Sequence, residues 1–168
     1  MVSKESVTEF SIVEYKPEMA VEINLLWRLS FDLALGIKER SKRDSLNGQL
    51  EYLRNQLAVE TNILVALDPG SSIISGFMAL AKSEINQLYI HPDYQQMGLG
   101  RQFVNIAKER SDGALCLYTF QLNENAQCFY EAMGFEEVAR GCADMESNPW
   151  ADAKSQLKDI RYRWSRTL

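Results

Sequence analysis

The sequence predicts a mixed α/β fold, α+β in character, with a central mostly antiparallel sheet that holds one parallel strand pair and is flanked by helices. Three observations carry that expectation. Asn62–Leu67 and Ile73–Ala81 are apolar runs joined by Asp68-Pro69-Gly70, and a third run starts at Glu84, so the three read as an antiparallel meander. A strand, a helical segment and the nearly continuous apolar run Leu115–Phe120 follow in that order, and a crossover helix between two strands implies parallel pairing. Two segments before residue 60 carry apolar residues at helical spacing.

Taken in order, Phe10–Tyr15 alternates apolar and polar residues and reads as the first strand, closed by Lys16-Pro17. Pro17 suits the first position of a helix in which Val21, Leu25, Leu29 and Leu33 recur every fourth residue until Gly36. A second helix is expected from near Ser41, with Asp44 in a capping-box position and Leu46, Leu50, Leu53 and Leu57 on one stripe. Between them, Lys38–Asp44 reads as a solvated mixed-charge connection, with a lid over an acceptor site as the alternative. After the meander come a helix over Gly98–Arg110, the buried strand Leu115–Phe120, a helix over Asn123–Met133 stopped by Gly134, and a strand over Phe135–Arg140. Gly141–Lys158 shows no clear period, and Asp159–Trp164 alternates as a closing strand. No linker, repeat or low-complexity tract divides the chain, so residues 1–168 are expected to form a single domain.

A chain that is 46% hydrophobic and 24% charged is globular in composition, and no apolar run approaches the ~20 residues of a membrane span. A net charge of −5 and a pI near 5.0 argue against a nucleic-acid partner, which needs a basic face. The three cysteines have no paired metal spacing and read as free thiols. With no apolar signal region at the start, a reduced, cytoplasmic protein without membrane attachment is the expectation.

The chemistry-bearing stretch is Glu84–Arg101. A strand ends at His91-Pro92, and a loop with Gly98 and Gly100 leads into a helix. The first-turn N–H groups of such a helix have no partner within it and its dipole favours negative charge, so a phosphate or pyrophosphate is the expected ligand. A Rossmann fingerprint would need a third glycine where Phe103 stands, and the Gly-Lys-Ser/Thr of a P-loop is absent. The remaining pattern, Gln95-x-x-Gly98-x-Gly100 after Leu88-Tyr89-Ile90-His91-Pro92, resembles the pyrophosphate loop of the GNAT superfamily of acyl-coenzyme A-dependent N-acyltransferases. Asn123-x-x-Ala126-x-x-Phe129-Tyr130-x-x-x-Gly134-Phe135 resembles that superfamily's second signature.

The resemblance implies that two parallel strands splay apart and that the pantetheine arm of acetyl-CoA, the acyl donor, pairs with the backbone of Leu88, Tyr89 and Ile90. It implies a pyrophosphate over Gln95, Gln96, Met97, Gly98, Leu99, Gly100 and Arg101, an Asn123 contact with the coenzyme arm, and no metal. Transfer to an amine requires a base, donors for the oxyanion and a proton for the leaving sulfur. Tyr130 stands where the superfamily places the sulfur's proton donor, and Glu84, six residues before Ile90, where several relatives carry a base. An alternating strand would put Glu84, Asn86, Leu88 and Ile90 on one face. A helix N-cap is an equal reading of Asn123, and His91, the only histidine, reads as a structural turn residue. The acceptor is expected to be a primary amine of a small cationic molecule, walled by Trp27, Phe31, Asp32, Asp144, Glu146, Trp150 and Tyr162. A peptide or protein amine, or a non-catalytic coenzyme A-binding module, is the alternative. A homodimer is compatible with the resemblance, and nothing in the sequence selects one.

Overall fold

The computed structural model describes residues 10–36, 46–142 and 158–167. Seven strands form one sheet: β1 (Ser11–Glu14), β2 (Asn62–Leu67), β3 (Ile74–Leu80), β4 (Glu84–Ile90), β5 (Ala114–Phe120), β6 (Glu136–Cys142) and β7 (Lys158–Ser165), in the order β1-β2-β3-β4-β5-β7-β6. Every neighbouring pair is antiparallel except β4 and β5. That parallel pair is joined through α4 (Leu99–Arg110), as the crossover pattern predicted.

Alternation along the strands feeds two cores, one on each side of the sheet. Ile63, Val65, Phe77 and Ala79 point to one side, where they meet Ile23, Trp27 and Phe31 of α1 (Ala20–Leu35). On the same side lie Leu53 and Leu57, in a π-helical turn between α2 (Leu46–Tyr52) and α3 (Ala58–Glu60). Leu64, Met78, Leu115, Leu117, Ile160 and Tyr162 point to the other side. There they meet Leu99, Phe103, Val104 and Ala107 of α4, together with Tyr130 of α5 (Glu124–Ala132). All seven residues of β3 are buried, as befits a strand covered on both faces. Among the described residues no helix is long and apolar enough to cross a membrane.

The face of α1 differs from the expected one. Val21, Leu25, Leu29 and Leu33 are 42–61% exposed, whereas Ala20, Ile23, Trp27 and Phe31 are buried. Both sets recur at helical spacing, and they lie on opposite sides of the helix, about 180° apart. The aromatic pair decides between them, because Trp27 and Phe31 bring far more apolar area than leucines can. Trp27 packs against Phe77 at 5.5 Å and Tyr89 at 5.9 Å between ring centroids. In the second helical segment Leu53 and Leu57 are buried but Leu46 is exposed, with Gln49 taking its place on the buried row. The expected helix start at Ser41 and Asp44, and the Lys38–Asp44 connection, lie outside the described residues.

Trp27→Ala should therefore cost about 3–5 kcal/mol of stability in denaturant titration. Leu25→Gln, on the exposed row, should stay within about 0.5 kcal/mol of the parent. Equal costs for the two changes would mean that the helix buries the other face.

Candidate active site at the parting of two strands

β4 and β5 pair only through Glu84↔Cys116 and Ile85↔Leu117, and beyond that point the strands separate. A β-bulge in β4 accompanies the separation: Leu80 faces Ile85 while Ala79 faces Gln87, so Asn86 is the extra residue. The bulge breaks the simple alternation expected of this strand. Ile85, Leu88 and Ile90 join the core on the α4 side, and Tyr89 packs on the α1 side. Glu84 does not share a face with Leu88 and Ile90. Its Oε2 lies 3.8 Å from Sγ of Cys116, a residue flanked in β5 by Leu115 and Leu117 of the α4-side core and so directed to the opposite face.

The backbone of β4 beyond the bulge can be assigned from one hydrogen bond. His91 N donates to Ser75 O at 2.8 Å, so by antiparallel alternation the polar groups of Tyr89 face β3. Those of Leu88 and Ile90 then face the gap, whereas the expectation had included Tyr89 with them. The Ile90 carbonyl accepts from Ser30 Oγ and from Gln95 Nε2, both at 3.1 Å. Its N–H points the same way, into the space left by β5. Sequence reading missed Ser30; the only signal is a serine within the buried row of an otherwise apolar helix face.

The loop after β4 is built as a turn and a cradle. Pro92–Tyr94 forms a 3₁₀ turn whose first N–H, that of Asp93, donates to Nδ1 of His91, consistent with a structural histidine. Tyr94 Oη donates to Asp68 Oδ2 at 3.0 Å, tying the loop to the β2–β3 turn. Asp68 also accepts from Gly70 N and Ser71 Oγ; these bonds, with that of Gly70 the strongest influence, hold its carboxyl below the usual range. Gln95, Gln96 and Met97 are exposed, and the side chain of Leu99 is buried, so Leu99 offers the loop only its backbone.

The two glycines have different duties. Gly98 precedes α4 with φ of 86°, a left-handed conformation that costs glycine little, and a Cβ there would meet nothing within 4 Å. A Cβ on Gly100 would come within 3.1 Å of Phe129 Cζ, so this glycine lets α4 pack closely on α5. No side chain caps α4, and its first turn holds no acidic residue. The first bond of the helix is Gln102 N to Gly98 O, which leaves the N–H groups of Leu99, Gly100 and Arg101 as its orphan donors. Exposed Arg101 adds a cation beside them. This donor set fits a phosphate group.

α5 packs on the start of α4, on the side of the sheet where Leu88 and Ile90 lie. Asn123 Oδ1 accepts from Ala126 N at 3.1 Å, so the side chain is an N-cap. Tyr130, 8% exposed, sits among Phe129, Phe135 and Tyr162. Burial raises its phenol pKa well above the ordinary value, and the negative charge of an ionised Tyr89 would add to the shift. Burial likewise pushes the Tyr89 phenol up to about 12, opposed by a bond from the Trp27 indole. Both groups are therefore neutral proton donors at pH 7.

The expected acceptor wall is only partly formed. Trp27 and Tyr162 are fully buried, and Tyr162 lies on the α4 side with Oη donating to Glu131 Oε1 at 2.9 Å. Phe31 is buried in the α1-side core, and Asp32 is half-buried. Asp144, Glu146 and Trp150 lie outside the described residues. Cys116, which sequence reading did not place at the site, stands beside Glu84; burial and the Glu84 charge push its thiol pKa up, and Arg161 opposes them.

Residues 60–137 match the family model described as the acetyltransferase (GNAT) domain. The chain is 28% identical over 125 residues to the peptidyl-lysine N-acetyltransferase YjaB of Salmonella typhimurium, covering 74% of this chain and 82% of that protein. To YjaB of Escherichia coli it is 27% identical over 140 residues, covering 83% and 91%. The fold is similar to the solution structure of apo-form YjaB from Escherichia coli, with a TM-score of 0.71, 24% identity, and coverage of 95% and 99%. It is also similar to yncA from Salmonella typhimurium, solved with its cofactor acetyl-CoA, with a TM-score of 0.65, 12% identity and 95% coverage of both chains. The splayed strand pair and the glycine loop both fall within residues 60–137, the part that matches the GNAT acetyltransferase domain, and the likeness to these relatives extends over most of the chain.

Proposed function

We propose that the chain, acting as a single domain, transfers an acetyl group from acetyl-CoA to a primary amine by direct attack within a ternary complex. The observation that carries this reading is the alignment of two sets of backbone donors that have no strand or helix partner. The gap-facing edge of Leu88 and Ile90 leads directly to the uncapped start of α4. In this reading the pyrophosphate lies against Gln95, Gln96, Met97, Gly98, Leu99, Gly100 and Arg101, and the pantetheine arm runs along Leu88 and Ile90, with Asn123 near it. Bound there, the coenzyme supplies the activated acetyl group.

The chain supplies three services. Freeing a lysine-like amine of pKa ~10.4 at pH 7 costs about 4–5 kcal/mol, and Glu84, on the face opposite the coenzyme loop, receives that proton directly or through water. The N–H of Ile90 is a donor for the negative charge that develops on the carbonyl oxygen, and the C=O of the same residue is held by Ser30 and Gln95. Tyr130 gives its phenol proton to the departing sulfur.

The side chain of a peptidyl lysine is the acceptor best supported, because the YjaB proteins, covered over most of their length, carry that activity in their names. A small cationic amine has less support, since Trp27 and Tyr162, two of the groups expected to bind it, are closed within the cores.

Thiol release from acetyl-CoA should require an added amine, and uptake of acetyl-CoA with no thiol release across an amine panel would identify a binding module instead. Tyr130→Phe should lower kcat by about 100-fold while leaving the acetyl-CoA Kd, measured by calorimetry, nearly unchanged. Unchanged turnover would remove the role. Glu84→Gln should lower kcat by about 100-fold; unchanged turnover would exclude Glu84 as the base. Because the raised Tyr130 pKa keeps its active, protonated form to higher pH, kcat should show no alkaline loss between about pH 8 and 10. A decline with an apparent pKa near 9 that vanishes in Tyr130→Phe would contradict the buried placement of the donor.

A further inference from the structure

The face of the sheet that carries Glu84 continues across β5 and β7. Glu84, Cys116 and Arg163 form one cross-strand row, and Arg161 stands two residues away on the same face of β7, alternating with fully buried Ile160 and Tyr162. The row spans two strand spacings, about 10 Å from Glu84 to Arg163. Arg161 and Arg163 are exposed, and the Arg161 guanidinium sits over the ring of Tyr118, itself 53% exposed, at 5.9 Å from the centroid. The face also carries the carboxylates of Glu136 and Asp159. Even so, among the described residues neither guanidinium meets a carboxylate within ion-pair distance.

Two guanidinium groups that meet no carboxylate among the described residues, one over an aromatic ring and beside Cys116, are suited to a carboxylate or phosphate, which arginine grips in a fork. An acidic carboxylate lies across the strands from them on the same face. The surface is thus complementary to a group that is positive at one end and negative at the other.

Resting on the acetyl-transfer reading above, we propose that the acceptor carries an acidic group beside its amine, held by Arg161 and Arg163 while Glu84 receives the ammonium. That chemistry has two sources, an acidic residue flanking a peptidyl lysine and the α-carboxylate of a free amino acid. Either explains why arginines line the approach to a base whose substrate is itself a cation: they reject acceptors with flanking positive charge and select those with flanking negative charge.

The test is a panel of short lysine peptides with flanking aspartates, alanines or arginines, together with free amino acids, assayed by thiol release from acetyl-CoA. Aspartate-flanked peptides should exceed alanine-flanked ones by about fivefold in kcat/KM, the worth of an exposed ion pair, and arginine-flanked ones should be poorest. Arg161→Glu with Arg163→Glu should reverse that order, and Arg161→Lys should retain its direction. Activity confined to free amino acids, lost when the carboxylate is amidated, would support the proposal with the second source. Turnover with the same ranking in the parent and the double variant, or a parent preference for arginine-flanked peptides, overturns this proposal and leaves acetyl transfer standing. No turnover with any amine overturns both.

Discussion

The parting of β4 from β5 governs the rest of the molecule. A buried strand edge without a partner is costly, because each N–H and C=O left dry forfeits a hydrogen bond. The fold accepts that cost over Leu88 and Ile90 and limits it to one short stretch. Two residue pairs hold the strands together at one end, and the bulge at Asn86 turns β4 away at once. The Ile90 carbonyl is then satisfied from outside the sheet, by a serine from α1 and a glutamine from the loop. What remains open is a donor-bearing edge of defined direction, held at both ends.

The same bulge sorts the chemistry onto two sides. With it, Leu88 and Ile90 belong to the α4 side, and Glu84 stands on the opposite face beside Cys116. In the proposed mechanism, the acyl donor and the acceptor approach through the sheet from different directions. Under that mechanism, proton removal and leaving-group protonation fall to different walls, Glu84 on one and Tyr130 on the other. The buried phenols of Tyr130 and Tyr89 remain protonated because there is little water to stabilise the anion of either.

Much of this was legible in the sequence, and for identifiable reasons. The meander, the crossover helix and the glycine loop depend on local pattern, which a single chain displays in full. Asn123 as an N-cap and Pro17 at a helix start were legible for the same reason. Three things were not. The buried face of α1 turned on which of two helical rows met the sheet, and only the partners Phe77 and Tyr89 resolve it. The face of Glu84 depended on one extra residue in β4, invisible without the register of β3. Tyr162 read as a site residue from its type, but its place in β7 sends it into the core to meet Glu131.

The contact between Gly100 and Phe129 carries a mechanical implication. Phe129 is wedged between the first turn of α4 and the neighbouring ring of Tyr130, 5.1 Å away between centroids. The cradle and the phenol are thus linked through one side chain. In the proposed mechanism, the residue that seats the anion and the residue that protonates the sulfur are therefore separated by a single ring, that of Phe129.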